Sequence, residues 1–314
     1  MGDIRASNAD AARLDVPSAE PSEREVTVLV TGFGPFLDEF PINPSWEIAR
    51  SLPSHLTLPP QPPIPSSSPS APNTKPPSPT KIKIITPPAP LRVSYHPTAT
   101  ILPELLTTHA PDLVLHIGLA AGRDFFAIER SSARLGYARN DDVDGRRWTS
   151  AESDAAWPRY PERLETGLGF AGVWEGWRGG CCERVEGVVG DERVGGEDGQ
   201  GGRGRRGGGG GERKGRRKVA IRPFDNVGSY LCGFSYYTSL AWFWARECER
   251  EAQGVQQQQE GVERPVLFLH VPGCPEDEDV VQGTEITEEL IKAMVACWVA
   301  QKERNEKQSQ AIAA

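Results

Sequence analysis

Several features are missing from this 314-residue chain, and each absence removes a class of protein. There is no apolar run of 18 residues, so no membrane-spanning helix is expected. The first 25 residues, MGDIRASNADAARLDVPSAEPSERE, carry acids where a secretory signal needs an apolar centre. Ser7 is off register for a myristoylation signal after Met1-Gly2. The six cysteines, at 181, 182, 232, 248, 274 and 297, show no Cys-x-x-Cys spacing, and adjacent Cys181 and Cys182 cannot sensibly clamp a fold. Free thiols in a reducing compartment are therefore expected, and the chain reads as soluble and cytoplasmic. No metal site or cofactor is indicated. The net charge of −8 gives no general attraction to nucleic acid or to an anionic membrane.

What the chain does contain is unevenly spread. Its 28 Pro and 33 Gly cluster in two places, so the core is smaller than 38% hydrophobic content over this length suggests. Residues 1–24 are polar and aperiodic and read as a disordered tail. PPQPPIPSSSPSAPNTKPPSPT, at 59–80, reads as a loop insert with extended polyproline character. From about Gly179 to Arg217 the chain is dominated by Gly and Arg and reads as a second, low-complexity insert, after a region from Asp144 onward without strong periodicity. Residues 303–314 read as a polar tail. Between these lies one domain, 25–302. The Gly/Arg stretch suggests an alternative function as an RNA-associated protein, but it lacks interleaved aromatics and lies in an acidic chain, so nucleic-acid binding is not the favoured reading. Homo-oligomer formation stays open.

Strand, turn and helix alternate through the domain. Apolar runs at Val26–Val30, Lys81–Thr86, Leu113–Ile117, Val219–Ile221 and Val266–His270 predict strands. Helices are expected around Ala99–His109, Ser229–Arg250 and Thr284–Lys302. This pattern predicts an α/β fold with βαβ units and a largely parallel sheet. The first unit is the most informative, since the run VTVLV leads into GFGPF and then a helix start, with Asn43 as N-cap and Pro44 at the first helical position. Gly32 and Gly34 permit a tight turn and present Phe33 and Phe36 at the carboxyl end of the strand, where open α/β sheets bind ligands. Pro35 breaks a dinucleotide-binding Gly-x-Gly-x-x-Gly pattern.

Three further segments matter: GLAAGRDFFAIERSSARLGYAR at 118–139, GSYLC at 228–232 and FLHVP at 268–272. Read from the residues, Cys232 sits near a helix start, where unsatisfied N–H groups favour a thiolate, with Ser229 placed to cap that helix. His270 ends an apolar strand, and Glu129 is an acid in an apolar setting. Each also has an ordinary reading, as a core cysteine, a satisfied core histidine and an ion pair with Arg130. Ordinary structural roles suit His55, His96, His109 and His116.

With VTVLVTGFGPFLDEFPINPSWEIAR at 26–50, these segments resemble the type I pyroglutamyl peptidases, cysteine peptidases that remove an N-terminal pyroglutamyl residue. The resemblance covers 25–58, 81–147, 218–250 and 265–302. It implies a three-layer α/β/α fold of the phosphorylase/hydrolase type, a mixed, largely parallel sheet and hydrolysis through a thioester acyl-enzyme. It further implies Cys232 as nucleophile, His270 as base, Glu129 as the acid orienting His270, and Arg139 at the oxyanion. Phe33 and Phe36 would sandwich the lactam, with Asn43, Leu119, Tyr230 and Leu231 at the remaining pocket positions and pyroglutamyl peptides as substrate. Leu119 stands where the family commonly has Gln, and Gly233-Phe234 where it has Asn-His. These departures keep open a relative that has the fold without the activity.

Overall fold

Two-residue periodicity organises the molecule. In the computed structural model, which describes residues 24–60, 79–191, 216, 218–253, 263–273 and 277–313, the strands are β1 (Glu25–Thr31), β2 (His55–Leu58), β3 (Thr80–Ile85), β4 (Leu113–Leu119), β5 (Phe125–Glu129), β6 (Ser131–Ala133), β7 (Arg163–Glu165), β8 (Val188–Gly190), β9 (Val219–Phe224) and β10 (Val266–Val271). The helices are α1 (Pro44–Ser51), α2 (Tyr95–His109), α3 (Ser150–Ala156), α4 (Phe170–Arg184), α5 (Leu231–Ala252) and α6 (Asp277–Ala313). Eight strands form one sheet in the order β2-β3-β1-β4-β10-β5-β9-β8, and β6 and β7 form a separate antiparallel pair. Only the β2/β3 and β5/β10 pairings in the large sheet are antiparallel, so it is mixed and largely parallel, as expected.

Successive side chains of a strand point to opposite faces. One face of β1, β4, β5 and β10 presents Val26, Val28, Val30, Leu113, Leu115, Ile117, Phe126, Ile128, Leu267, Leu269 and Val271, packed with buried residues of α1, α4 and α6. The other presents Leu29, Val114, Val266 and Phe268 to α2 and α5, through Leu102, Leu106, Phe234, Tyr236, Tyr237 and Leu240. Helices cover both faces, giving three layers. Such double coverage requires the near-continuous apolar runs seen in the sequence.

The segment from 144 to 191 departs from expectation. It contains α3, opened by a capping box between Thr149 and Glu152, and α4, whose Val173, Trp174, Trp177 and Cys181 are buried. Glycines masked this helix because they lower intrinsic helix propensity. Their placement is a packing requirement: a Cβ on Gly172 would come within 3.1 Å of Cys297 Sγ on α6, one on Gly176 within 3.2 Å of Ala293 Cβ, and one on Gly180 within 2.4 Å of a Glu289 oxygen. Residues 179–184 end α4 and β8 follows, so the Gly/Arg-rich insert does not begin at about Gly179. Residues 192–215 and 217 of that stretch, most of the Pro/Ser-rich insert and residues 1–23 lie outside the described residues.

The polar tail expected at 303–314 continues α6 to Ala313. Its Lys, Glu, Gln and Ala are strong helix formers that need no apolar partner to extend an existing helix. Among the described residues, no helix is long and apolar enough to cross a membrane.

Candidate active site

Strand alternation brings the predicted acid and base to the same face. Phe268 is opposite Glu129 in the antiparallel β5/β10 register, and His270 is opposite Ala127, so Glu129 and His270 are diagonal neighbours. Their side chains meet, with His270 Nδ1 2.8 Å from Glu129 Oε1. Both are buried. Arg123, in the turn between β4 and β5, also donates to Glu129 Oε1 at 2.8 Å, and its Nη1 lies 3.4 Å from His270 Nδ1. The Asn226 amide donates to Glu129 Oε2 at 3.0 Å. Arg130, the alternative partner for Glu129, instead places its guanidinium 4.9 Å from the Phe170 ring centre.

Cys232 is the second residue of α5 and is partly buried. It lies over Gly118 of β4, the register partner of His270. A Cβ on Gly118 would be 2.9 Å from Cys232 Sγ and 2.6 Å from Phe268 Cζ, so a glycine is needed for the thiol to sit against the sheet. The expected Ser229 cap is not formed. Tyr230 occupies the N-cap position, and its side chain makes no capping hydrogen bond. Among the described residues the first-turn amides have no side-chain partner, which leaves them available to an anion.

The electrostatics change one expectation. Burial, followed by the Glu129 charge, pushes the Cys232 thiol up to about 12, against the opposing effects of Arg123 and the residue's own amide. The helix terminus does not make a resting thiolate. Burial also lowers the His270 pKa; Glu129 partly restores it, and Arg123 lowers it further. Burial alone would raise the Glu129 pKa, but hydrogen bonds and charge from His270 and Arg123 outweigh it, and the net shift is downward. The site therefore combines a neutral thiol, a neutral imidazole and an ionised carboxylate. Such a site can transfer the thiol proton to imidazole as sulfur attacks.

The remaining predicted residues divide. Phe36 is half-buried, its ring centre 6.1 Å from that of Tyr230. Phe33 is buried, bridges to Leu91 and belongs to the core on this face. Leu231 is also a core residue. Asn43 has a structural duty: its oxygen accepts from the Ser45 amide and hydroxyl, and its amide donates to the Gly34 carbonyl at 2.9 Å, fixing the turn that carries Phe33 and Phe36. Leu119 ends β4, and alternation sets it with Leu115 and Ile117 on the face away from Cys232. Arg139 is exposed on a 3₁₀ turn, Tyr137–Arg139, and no hydrogen bond among the described residues ties it to Cys232, His270 or Glu129.

Gly233 and Phe234 have packing reasons. A Cβ on Gly233 would lie 2.2 Å from the Gly228 carbonyl oxygen. Phe234 is buried among Tyr95, Tyr137, Trp148 and Trp157, with ring-centre distances from 4.9 to 5.7 Å. Arg123 was missed as a site residue. The available signal was a cation in GLAAGRDFF between two apolar strands, where it needs an acid. The expected roles of His116 and His96 hold: His116 lies between Thr31 and Ser239, and His96 pairs with Glu152.

No protein-family model matches the chain. Curated relatives named pyrrolidone-carboxylate peptidase, from Bacillus thuringiensis (strain Al Hakam) and Bacillus cereus (strain Q1), are 33% identical over 119 residues, which is 38% of this chain and 44% of theirs. The match thus spans less than half the length of those relatives. Among solved structures, a mutant pyrrolidone carboxyl peptidase from P. furiosus aligns with TM-score 0.51 and 19% identity, covering 86% of this chain and 99% of that one. The pyroglutamyl peptidase I from Bacillus amyloliquefaciens aligns with TM-score 0.50 and 20% identity, covering 87% and 95%. This chain has their α/β fold, and its sequence is similar to the pyrrolidone-carboxylate peptidases.

Proposed function

We propose that this protein is a cysteine exopeptidase that hydrolyses the amide bond after an N-terminal pyroglutamyl residue. The observation that carries the reading is the convergence of Glu129, His270 and Cys232 on one face of the sheet, with His270 Nδ1 held 2.8 Å from Glu129 Oε1. Similarity to pyrrolidone-carboxylate peptidases supplies the substrate class.

In this mechanism, His270 takes the Cys232 proton as Sγ attacks the pyroglutamyl carbonyl carbon. Glu129 stabilises the resulting imidazolium. The oxyanion is held by first-turn amides of α5, with Arg139 as the expected additional cation. Collapse breaks the C–N bond, the imidazolium protonates the departing amine, and a thioester remains. His270 then activates water, which cleaves the thioester and regenerates the thiol. A free thiol at Cys232 needs a reducing environment, which fits a cytoplasmic protein.

The test is release of a fluorophore from pyroglutamyl, prolyl and glutaminyl amides by the purified full chain. The pyroglutamyl amide is expected to be the better substrate by a thousandfold or so, because an aromatic slot offers no counter-charge to the ammonium of the other two. Equal kcat/KM values would remove lactam selection, and no turnover by folded protein would favour a relative that has lost the activity.

A further inference from the structure

Residues 36–42 run from the segment that carries the nucleophile to the segment that carries the base. At one end Phe36 is half-buried, its ring centre 6.1 Å from that of Tyr230, two residues before Cys232. In the middle Phe40 lies against Gly273, three residues after His270, where an added Cβ would fall 2.7 and 2.8 Å from carbons of the Phe40 ring. Glycine at 273 therefore lets that ring seat on the chain leaving β10. The loop is held in shape at two points: the Phe40 amide donates to the Leu37 carbonyl at 2.9 Å, and the Asn43 side chain ties its far end back to the Gly34 carbonyl.

Its composition is unusual for a solvated loop. Leu37 is 36% exposed and Ile42 65% exposed, and of the seven large apolar residues exposed among the described residues these two fall within residues 36–42. Apolar residues exposed singly need no explanation, whereas several on one rim of a site mark a surface that another molecule covers. The loop's charges are the exposed carboxylates of Asp38 and Glu39, which form no ion pair among the described residues.

The direction of the reaction decides which part of a substrate meets this rim. His270 Nδ1 is bound to Glu129, so proton transfer falls to Nε2, and the amine departs on the His270 side of the attacked carbonyl. With the acyl ring at Phe36 and Tyr230, the loop leads away from that ring toward Gly273, along the leaving side. We propose that Leu37, Phe40 and Ile42 form the subsite for the residue that follows the pyroglutamyl residue, and that this subsite takes a large apolar side chain and disfavours an acidic one. This rests on the peptidase function proposed above.

The test uses the full chain and the amides of pyroglutamyl-leucine, pyroglutamyl-alanine and pyroglutamyl-aspartate, with cleavage followed by the newly released amine. The leucyl substrate should exceed the alanyl one in kcat/KM by about five- to tenfold, as expected for partial covering of its larger side chain. The aspartyl substrate should fall below the alanyl one by about three- to tenfold, with the gap narrowing at high salt. Leu37→Ser and Ile42→Ser change exposed positions, so the variants should keep the wild-type thermal midpoint, and each should move the leucyl-to-alanyl ratio toward one. The double variant Asp38→Asn/Glu39→Gln should bring the aspartyl substrate up toward the alanyl one, an independent readout of the same loop. An active wild type whose leucyl and alanyl values agree within about twofold overturns the inference and leaves the peptidase reading intact. A leucine preference that survives both serine substitutions also overturns it, by placing the subsite elsewhere. A folded wild type that cleaves none of the three overturns the peptidase reading and this inference together.

Discussion

The two faces of the central sheet come from the same strands and carry different chemistry. Toward α1, α4 and α6, strands β1, β4, β5 and β10 present Val, Leu, Ile and Phe side chains. Toward α2 and α5, the same strands present Thr31, His116, Glu129 and His270, all buried, and α5 brings Cys232, Ser239 and Tyr236 against them. Among these, Thr31 pairs with His116, His116 with Ser239 and Glu129 with His270, as buried polar groups must where an unpaired one would destabilise the fold by a few kcal/mol. A two-residue period thus separates a wholly apolar face from one that carries the groups proposed to react.

The comparison breaks most sharply under paired substitutions. Cys232→Ala should reduce kcat about 10⁴-fold or more while leaving the unfolding midpoint nearly unchanged. Leu269→Ala, next to His270 but facing the other way, should destabilise by about 2–5 kcal/mol with kcat per folded molecule largely retained. Denaturant unfolding and turnover measured on the same preparations check both. If Leu269→Ala abolishes turnover at full stability, the division between the faces fails.

This division was partly legible in the sequence. VLFLHV reads as a buried strand whose fifth residue is a histidine, and FFAIE as an apolar run ending in an acid, so each reactive group appears as a polar break in an apolar pattern. Their meeting was not legible, because it depends on the antiparallel β5/β10 register, and pairing partners are not encoded in local periodicity. Arg123 went unnoticed for the same reason: its meaning lies in what faces it. The α4 helix was hidden because its glycines answer to α6, more than a hundred residues later in the chain. The rise of the Cys232 pKa was equally out of reach, since a helix N-terminus is visible in the sequence and burial of the thiol is not.

A smaller effect follows from His116, on the reactive face but outside the proposed mechanism. Burial pushes its pKa down to about 3, against an ordinary value of about 6.5. Between those values the unfolded chain binds a proton that the folded chain refuses, so stability is full above about pH 6.5 and declines as pH falls toward 3. By about pH 4.5 the loss from this group is roughly 2–3 kcal/mol. His270, whose pKa is also lowered, acts with the same sign. Urea unfolding at neutral pH and at about pH 4.5 should show His116→Gln losing less on acidification than the wild type. An equal loss would mean that His116 charges without cost in the folded state and that this face is wetter than its contacts indicate.

The finest distinction lies within this polar face, between the groups proposed to react and one that holds them. The charged and titratable groups around His270 are Glu129 from β5, Arg123 from the β4–β5 turn and Cys232 from α5. Arg123 ties this set together: it donates to Glu129 Oε1, reaches the Asn226 carbonyl at 3.2 Å and stacks 4.0 Å from the Phe224 ring centre. Its charge stabilises the Glu129 carboxylate and opposes protonation of His270, so it favours the neutral imidazole that the proposed mechanism uses as a base. Arg123→Gln removes that opposition. The His270 pKa then rises, the base is protonated at higher pH, and the acid limb of the kcat/KM profile moves upward, with only a modest loss on the alkaline side. Arg123→Lys preserves the charge without the forked contact to Asn226 and should leave the limb near its wild-type position while lowering kcat. NMR titration of the His270 ring reports the same shift independently of turnover. A limb and a ring pKa that stay fixed or move downward in Arg123→Gln would show that Glu129 and burial set the base alone, with Arg123 serving only to brace the turn.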